Sequence, residues 1–161
     1  MKPYQGGGDM IKTVTLEKTT YNDLPHRFEA GTPHIEGGIA LGAAIDFLNT
    51  LYMDEVLQYE NELLQYATEK ISELQGVRIY GTGKFKASVL SFNVEGLHPY
   101  DVGTILDQQG IAVRTGHHCT QPIMDFFCIP GTIRASFAMY NTRAEIDTFI
   151  LALQKAIKML K

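Results

Sequence analysis

Eleven consecutive residues, Arg114-Thr115-Gly116-His117-His118-Cys119-Thr120-Gln121-Pro122-Ile123-Met124, concentrate most of the chemistry this chain could carry. A cysteine stands beside two imidazoles, an arginine and a glycine, ahead of a proline that can open a helix. A thiol is a nucleophile only as the thiolate, and nearby positive charge together with a helix N-terminus favours that form. The stretch therefore reads as a mobile loop presenting a reactive sulfur on Cys119. The competing reading is a buried, inert thiol, since free cysteines are usually packed inside. Polar neighbours on both sides of Cys119 favour the loop. Cys128 lies in the apolar run Phe126-Phe127-Cys128-Ile129 and is expected in the core. Zinc is a rival use of His117, His118 and Cys119, with Cys128 as a fourth ligand. Three consecutive residues cannot all face one ion without severe backbone contortion, and no Cys-x-x-Cys or His-x-x-x-His pair supports a site. No metal is expected.

Arg134 interrupts Thr132-Ile133-Arg134-Ala135-Ser136-Phe137, a stretch otherwise apolar or small. A guanidinium in such a strand needs a partner. That partner is either one of the chain's 18 acids, as a structural ion pair, or a ligand carboxylate held bidentately. The sequence leaves both open. Gly31-Thr32-Pro33 and Gly37-Gly38 precede an apolar helix, where loop amides and the Thr32 hydroxyl could hold a phosphate. The same residues are also ordinary turn chemistry. Gly6-Gly7-Gly8 shares that ambiguity, and without a Gly-x-Gly-x-x-Gly or Walker lysine pattern it predicts no nucleotide site.

The elements that must position these groups follow from periodicity. Lys12–Glu17 alternates as a short two-faced strand. Thr20–His34 is irregular and polar, broken by Pro25 and Pro33. An almost wholly apolar helix is predicted over Ile39–Tyr52, with Gly42, Ala43 and Ala44 allowing close packing. Asp54 is expected to cap a second, amphipathic helix with the stripe Val56, Tyr59, Leu63, Ala67, Ile71 and Leu74, stopped at Gly76. Val77–Tyr80 and Ser88–Val94 read as strands, Pro99–Gln109 as a helix ending at Gly110, and Ile111–Val113 as a short strand leading into the cysteine loop. Pro122–Phe127 reads as one or two helical turns and Thr132–Ala138 as a strand. Thr142-x-x-Glu145 is a capping box for a last helix bearing Ile146, Phe149, Ile150, Leu153, Ile157 and Leu160 on one face. The fold class is α+β: a small, mostly antiparallel sheet packed with long helices, preceded by an irregular N-terminal segment.

Composition narrows the function classes. With 161 residues, 45% hydrophobic, and a net charge of −4, the chain has no basic footprint for nucleic acid. No apolar run reaches the roughly 18 residues that would span a membrane, and no signal-peptide pattern opens the chain. Two cysteines do not make a disulfide framework, so a cytoplasmic, reducing setting with free thiols is expected. The opening Met1-Lys2-Pro3-Tyr4-Gln5-Gly6-Gly7-Gly8 reads as a loop rather than the start of a domain, as in a piece of a longer protein.

Taken together, several segments resemble the C-terminal part of a cysteine desulfurase of the SufS type, a class V aminotransferase-like enzyme of fold type I that uses pyridoxal 5'-phosphate. They are Gly6-Gly7-Gly8-Asp9-Met10-Ile11, Arg27-Phe28-Glu29-Ala30-Gly31-Thr32-Pro33, Tyr100-Asp101-Val102-Gly103, Gly110-Ile111-Ala112-Val113 running into the cysteine loop, and Arg134-Ala135-Ser136-Phe137-Ala138-Met139-Tyr140-Asn141-Thr142. They occur in the family's order and span nearly the whole chain. The resemblance implies that residues 1–38 are the tail of the large cofactor domain and residues 39–161 a helical linker plus the C-terminal domain. It implies that Cys119 takes sulfur from L-cysteine, leaving alanine and a persulfide destined for a sulfur-acceptor protein of iron–sulfur cluster assembly. Arg134 would hold the substrate carboxylate and Arg114 would stand at the substrate entrance. Thr32, with Gly31 beside it, would reach the cofactor phosphate across a homodimer interface. His117 and His118 would give electrostatic support.

None of the nine lysines here lies in the family's Schiff-base motif, so the chain alone is expected to be inactive. Selenocysteine lyase is the neighbouring activity. A non-catalytic binding or dimerisation module with an exposed thiol is the alternative from a different class.

Overall fold

In the computed structural model, which describes residues 1–161, the chain divides into two units, Met1–Leu51 and Tyr52–Lys161. The first ends with the apolar helix. In this unit Ile11–Val14 (β1) and Thr19–Tyr21 (β2) pair as an antiparallel hairpin, joined also by a Thr13–Thr20 hydroxyl contact. Met10 is its one fully buried large side chain. The apolar helix runs Ile35–Asn49 (α1), beginning and ending earlier than its composition predicts, and none of its residues is buried.

The second unit is built on alternation. In Val89–Val94 (β4), Leu90, Phe92 and Val94 are buried while Val89, Ser91 and Asn93 are half-buried, the period of two that gives a strand one dry face. β4 pairs with Val77–Tyr80 (β3) on one side and Thr132–Ser136 (β6) on the other, and β6 pairs with Arg114–Gly116 (β5), all antiparallel. The sheet order is β3-β4-β6-β5. Three helices cover the dry face: Met53–Ser72 (α2), Pro99–Asp107 (α3) and Arg143–Leu160 (α5). Leu63, Ala67 and Ile71 from α2, Val102 and Leu106 from α3, and Ile146, Phe149 and Leu153 from α5 close on Leu90, Phe92 and Ile133. Burying each such side chain is worth about 1.5–3 kcal/mol, so this layer holds the unit. The α+β class is as expected.

Three local expectations change. Tyr52, not Asp54, occupies the N-cap of α2, and Asp54 lies in the first turn, where its charge still complements the helix dipole. Ile111–Val113 forms no strand; pairing begins at Arg114, so the first three residues of the predicted loop are sheet. Cys128 is exposed rather than in the core. It ends Gln121–Phe127 (α4) in left-handed backbone, φ +53, where Phe127 and Ile129 of the apolar run are half-buried and the thiol faces out.

Candidate functional site

Strand register brings the charged groups together. Arg114 on β5 lies directly opposite Arg134 on β6, and Ser91 on β4 faces Arg134 from the other side. Partners directly opposite share a face. Because Ile133 and Ala135 point into the core, the two arginines belong to the outer face. Two guanidinium side chains directly opposite each other destabilise a ladder by a few tenths to about 1 kcal/mol. No carboxylate neutralises them, since the chain's ion pairs are His26–Glu29 and Arg143–Glu62. The Arg134 Nε is buried without a hydrogen-bond partner. Of the two readings open for Arg134, an internal ion pair is absent and an unsatisfied donor remains.

The cysteine turn hangs from the end of β5. Gly116 has φ +120, His118 +52 and Cys119 +60, so the chain reverses sharply. Thr120 closes the turn, its N–H and hydroxyl donating to His117 O at 2.9 and 2.7 Å. Cys119 is exposed and forms no disulfide. His117 is exposed, in a cleft of about 420 Å³ that it shares with His98 and Tyr100. His118 folds back on β6, its Nε2 lying 3.1 Å from Thr132 O and 3.0 Å from Thr132 Oγ1. Burial pushes the His118 imidazole below its ordinary pKa. The hydrogen bond to Thr132 opposes this, and the charges of Arg134, Arg114 and His117 add to it. His118 is therefore a neutral imidazole at pH 7.

No three His, Cys, Asp or Glu side chains gather as they would around a metal. His118 Nε2 is committed to Thr132, and α4 separates Cys119 from Cys128 by seven helical residues, about 10 Å of rise. In the first unit the two glycine motifs converge, with Gly31 N–H donating to Gly8 O at 2.9 Å. Gly31 borders a cavity of about 620 Å³ with Asp9, Asn22, His26, Glu29 and Thr32. The Gly31 donor is thus spent within the chain, whereas Thr32 is exposed just ahead of α1.

One polar group beneath the turn was not singled out in the sequence. Asn93 donates from Nδ2 to Gly131 O at 2.8 Å, and its Oδ1 is buried without a partner. The signal was present: like Arg134, it is a polar residue between core residues, Phe92 and Val94.

Fold and site together define an α+β protein with two opposed, unpaired arginines on its sheet and an exposed thiol in the turn that follows. Residues 1–149 match the family described as aminotransferase class-V, and the chain belongs to that family. A probable cysteine desulfurase of Halalkalibacterium halodurans is 50% identical over 155 residues, 96% of this chain and 38% of that protein. The cysteine desulfurase CsdA of Escherichia coli, solved in an S-sulfonic acid form, superposes with a TM-score of 0.86 at 34% identity, covering 100% of this chain and 40% of that one. The apo cysteine desulfurase of Thermococcus onnurineus NA1 gives 0.83 at 42% identity, covering 98% and 40%. The chain thus spans about two fifths of the length of the relatives it matches.

Proposed function

We propose that this chain is the cysteine-bearing part of a pyridoxal phosphate-dependent cysteine desulfurase of the SufS type. The observation that carries the reading is the opposed, unneutralised Arg114 and Arg134, with the exposed Cys119 in the turn that follows the strand carrying Arg114. A bound carboxylate satisfies the orphaned Arg134 donor and relieves the repulsion between the two guanidinium groups. An α-amino acid brings such a carboxylate, and a thiol standing over it can meet the side-chain sulfur of L-cysteine.

Arg134 holds the carboxylate, and Arg114, more exposed at the sheet edge, guides the substrate in. The Cys119 thiolate forms an S–S bond to the substrate sulfur as the substrate's Cβ–S bond breaks. Proton uptake at that carbon gives alanine, and Cys119 is left as a persulfide for an acceptor protein of iron–sulfur assembly. Pyridoxal phosphate, when bound, supplies the electron sink that lets the Cβ–S bond yield its electron pair. The residues here fit one edge of that group: the exposed Thr32 hydroxyl suits a phosphate oxygen, across a homodimer interface as the resemblance implies. The covalent lysine is not among the nine of this chain.

The test uses the full-length desulfurase that contains this chain. Cys119→Ala is expected to abolish persulfide formation with cofactor still bound. Arg134→Ala raises KM for L-cysteine by roughly one to two orders of magnitude, the scale of a lost charged hydrogen bond. Persulfide formed without Cys119, or an unchanged KM without Arg134, overturns the assignment. Comparing turnover of cysteine and selenocysteine separates desulfurase from selenocysteine lyase.

A further inference from the structure

His118 and Cys119 both occupy left-handed backbone, φ +52 and +60, a conformation that costs an L-residue about 1–2 kcal/mol. Neither is glycine, so contacts must hold the turn in place. The Thr120 bonds to His117 O close the turn on itself and do not fix it to the sheet. Two other contacts do. Where the turn leaves the sheet, Gly131 lies against Gly116 so closely that a Cβ on Gly131 would stand 2.9 Å from the Gly116 carbonyl carbon and oxygen. At the next residue, the first of β6, His118 Nε2 reaches the buried Thr132, at 3.1 Å from its carbonyl and 3.0 Å from its hydroxyl. This is the turn's one side-chain hydrogen bond to the sheet.

A carbonyl oxygen only accepts, so Nε2 carries the proton and Nδ1 presents a bare lone pair. Nδ1 is buried and unpartnered. A second proton there would set a cation facing Arg134 from β6, Arg114 from β5 and His117 from the turn itself. The sequence suggested an electrostatic helper for the thiolate, and this geometry suits a different task.

We propose that His118 is a positioning residue that, as the neutral Nε2-protonated imidazole, latches the Cys119 turn onto the Thr132 backbone and so fixes the thiol relative to Arg134. Thr132 and Arg134 share one face of β6 two residues apart, about 7 Å along the strand, so a turn pinned at the first is placed with respect to the second. The consequence for sulfur transfer rests on the roles given above to Cys119 and Arg134. The latch does not, and it is tested on the 161-residue chain without any turnover.

The experiment records imidazole ¹⁵N spectra at pH 7 and amide exchange of Thr120, whose N–H closes the turn, in the wild-type, His118→Ala and His118→Gln chains. The expected spectrum is a neutral His118 with its proton on Nε2. In His118→Ala the Thr120 amide exchanges faster by about tenfold or more, equivalent to about 1.4 kcal/mol, while amides of β4 and α5 keep their protection. His118→Gln restores a donor near the Nε2 position and recovers most of the protection. A cationic or Nδ1-protonated His118 at pH 7 overturns the proposal. So does unchanged exchange in His118→Ala, or a Gln variant as loose as the Ala variant. Should His118→Ala lose its fold, the wild-type spectrum and the Gln variant still decide the question.

Discussion

Arg134 and His118 each carry a polar atom that the chain itself leaves unsatisfied, and the two differ in what they lack. Arg134 Nε is a donor in search of an acceptor, whereas His118 Nδ1 is an acceptor that must stay unprotonated. The sign of the pH effect follows. Burial lowers the folded-state pKa of His118, so the unfolded chain takes up the proton more readily. Stability from the neutral latch is full above the ordinary imidazole value of about 6.5 and is lost as pH falls below it through the folded-state value. Thr120 exchange, corrected for its intrinsic pH dependence, is therefore expected to be flat from pH 8 down to about 6.5 and to quicken below that. His118→Gln removes this acid-side loosening. Loosening on the alkaline side instead would show that the imidazolium is the bonded form.

Among the elements, β5 is the one whose place decides the site. Its three residues are held by β6 on one side and by α3 below, where a Cβ on Gly103 would stand 2.5 Å from Thr115 Cγ2. The Gly116–Gly131 approach adds a backbone-to-backbone contact that no side chain can yield to. Gly131→Ala, at φ +154, is expected to cost about 1–3 kcal/mol, read as a lowered urea midpoint, and to speed exchange in β5 before β3. Exchange that quickens in β3 first would show that the contact does not hold this edge.

Such long-range contacts explain which parts were readable from sequence. The α5 capping box, with Glu145 N–H donating to Thr142 Oγ1 at 3.2 Å and Thr142 N–H to Glu145 Oε2 at 2.7 Å, is visible within four residues, and its buried stripe repeats locally. Local composition puts the strand three residues before β5 because Ile111–Val113 looks more strand-like than Arg114–Gly116. Only the register with Thr132–Arg134 decides which of them pairs. For the same reason Arg134 could be marked as unusual, but not as the partner of Arg114. Cys128 is exposed against expectation because an apolar run does not say which of its members turns inward.

At the scale of the whole molecule, the groups singled out for their chemistry are divided between the two units. Arg114 and Arg134 pair on the sheet of the second unit and Cys119 lies in the turn that follows β5, while Thr32 of the first unit lines a cavity with Asp9 and Glu29. Ile39, Leu41 and Phe47 of α1 are 71, 62 and 58% exposed, although a helix apolar on every side is ordinarily covered. Taking sulfur from cysteine needs the electron sink to be bound covalently and held against the substrate. In the proposed roles Cys119 receives the sulfur and the two arginines orient the substrate, and none of the three would activate the Cβ–S bond. The 161-residue chain supplied with pyridoxal phosphate and L-cysteine is therefore expected to release no alanine and to gain no persulfide, while Cys119 remains open to alkylation by iodoacetamide. Alanine formed at a rate proportional to chain concentration would show that these residues suffice on their own, and the division of labour argued here would be wrong.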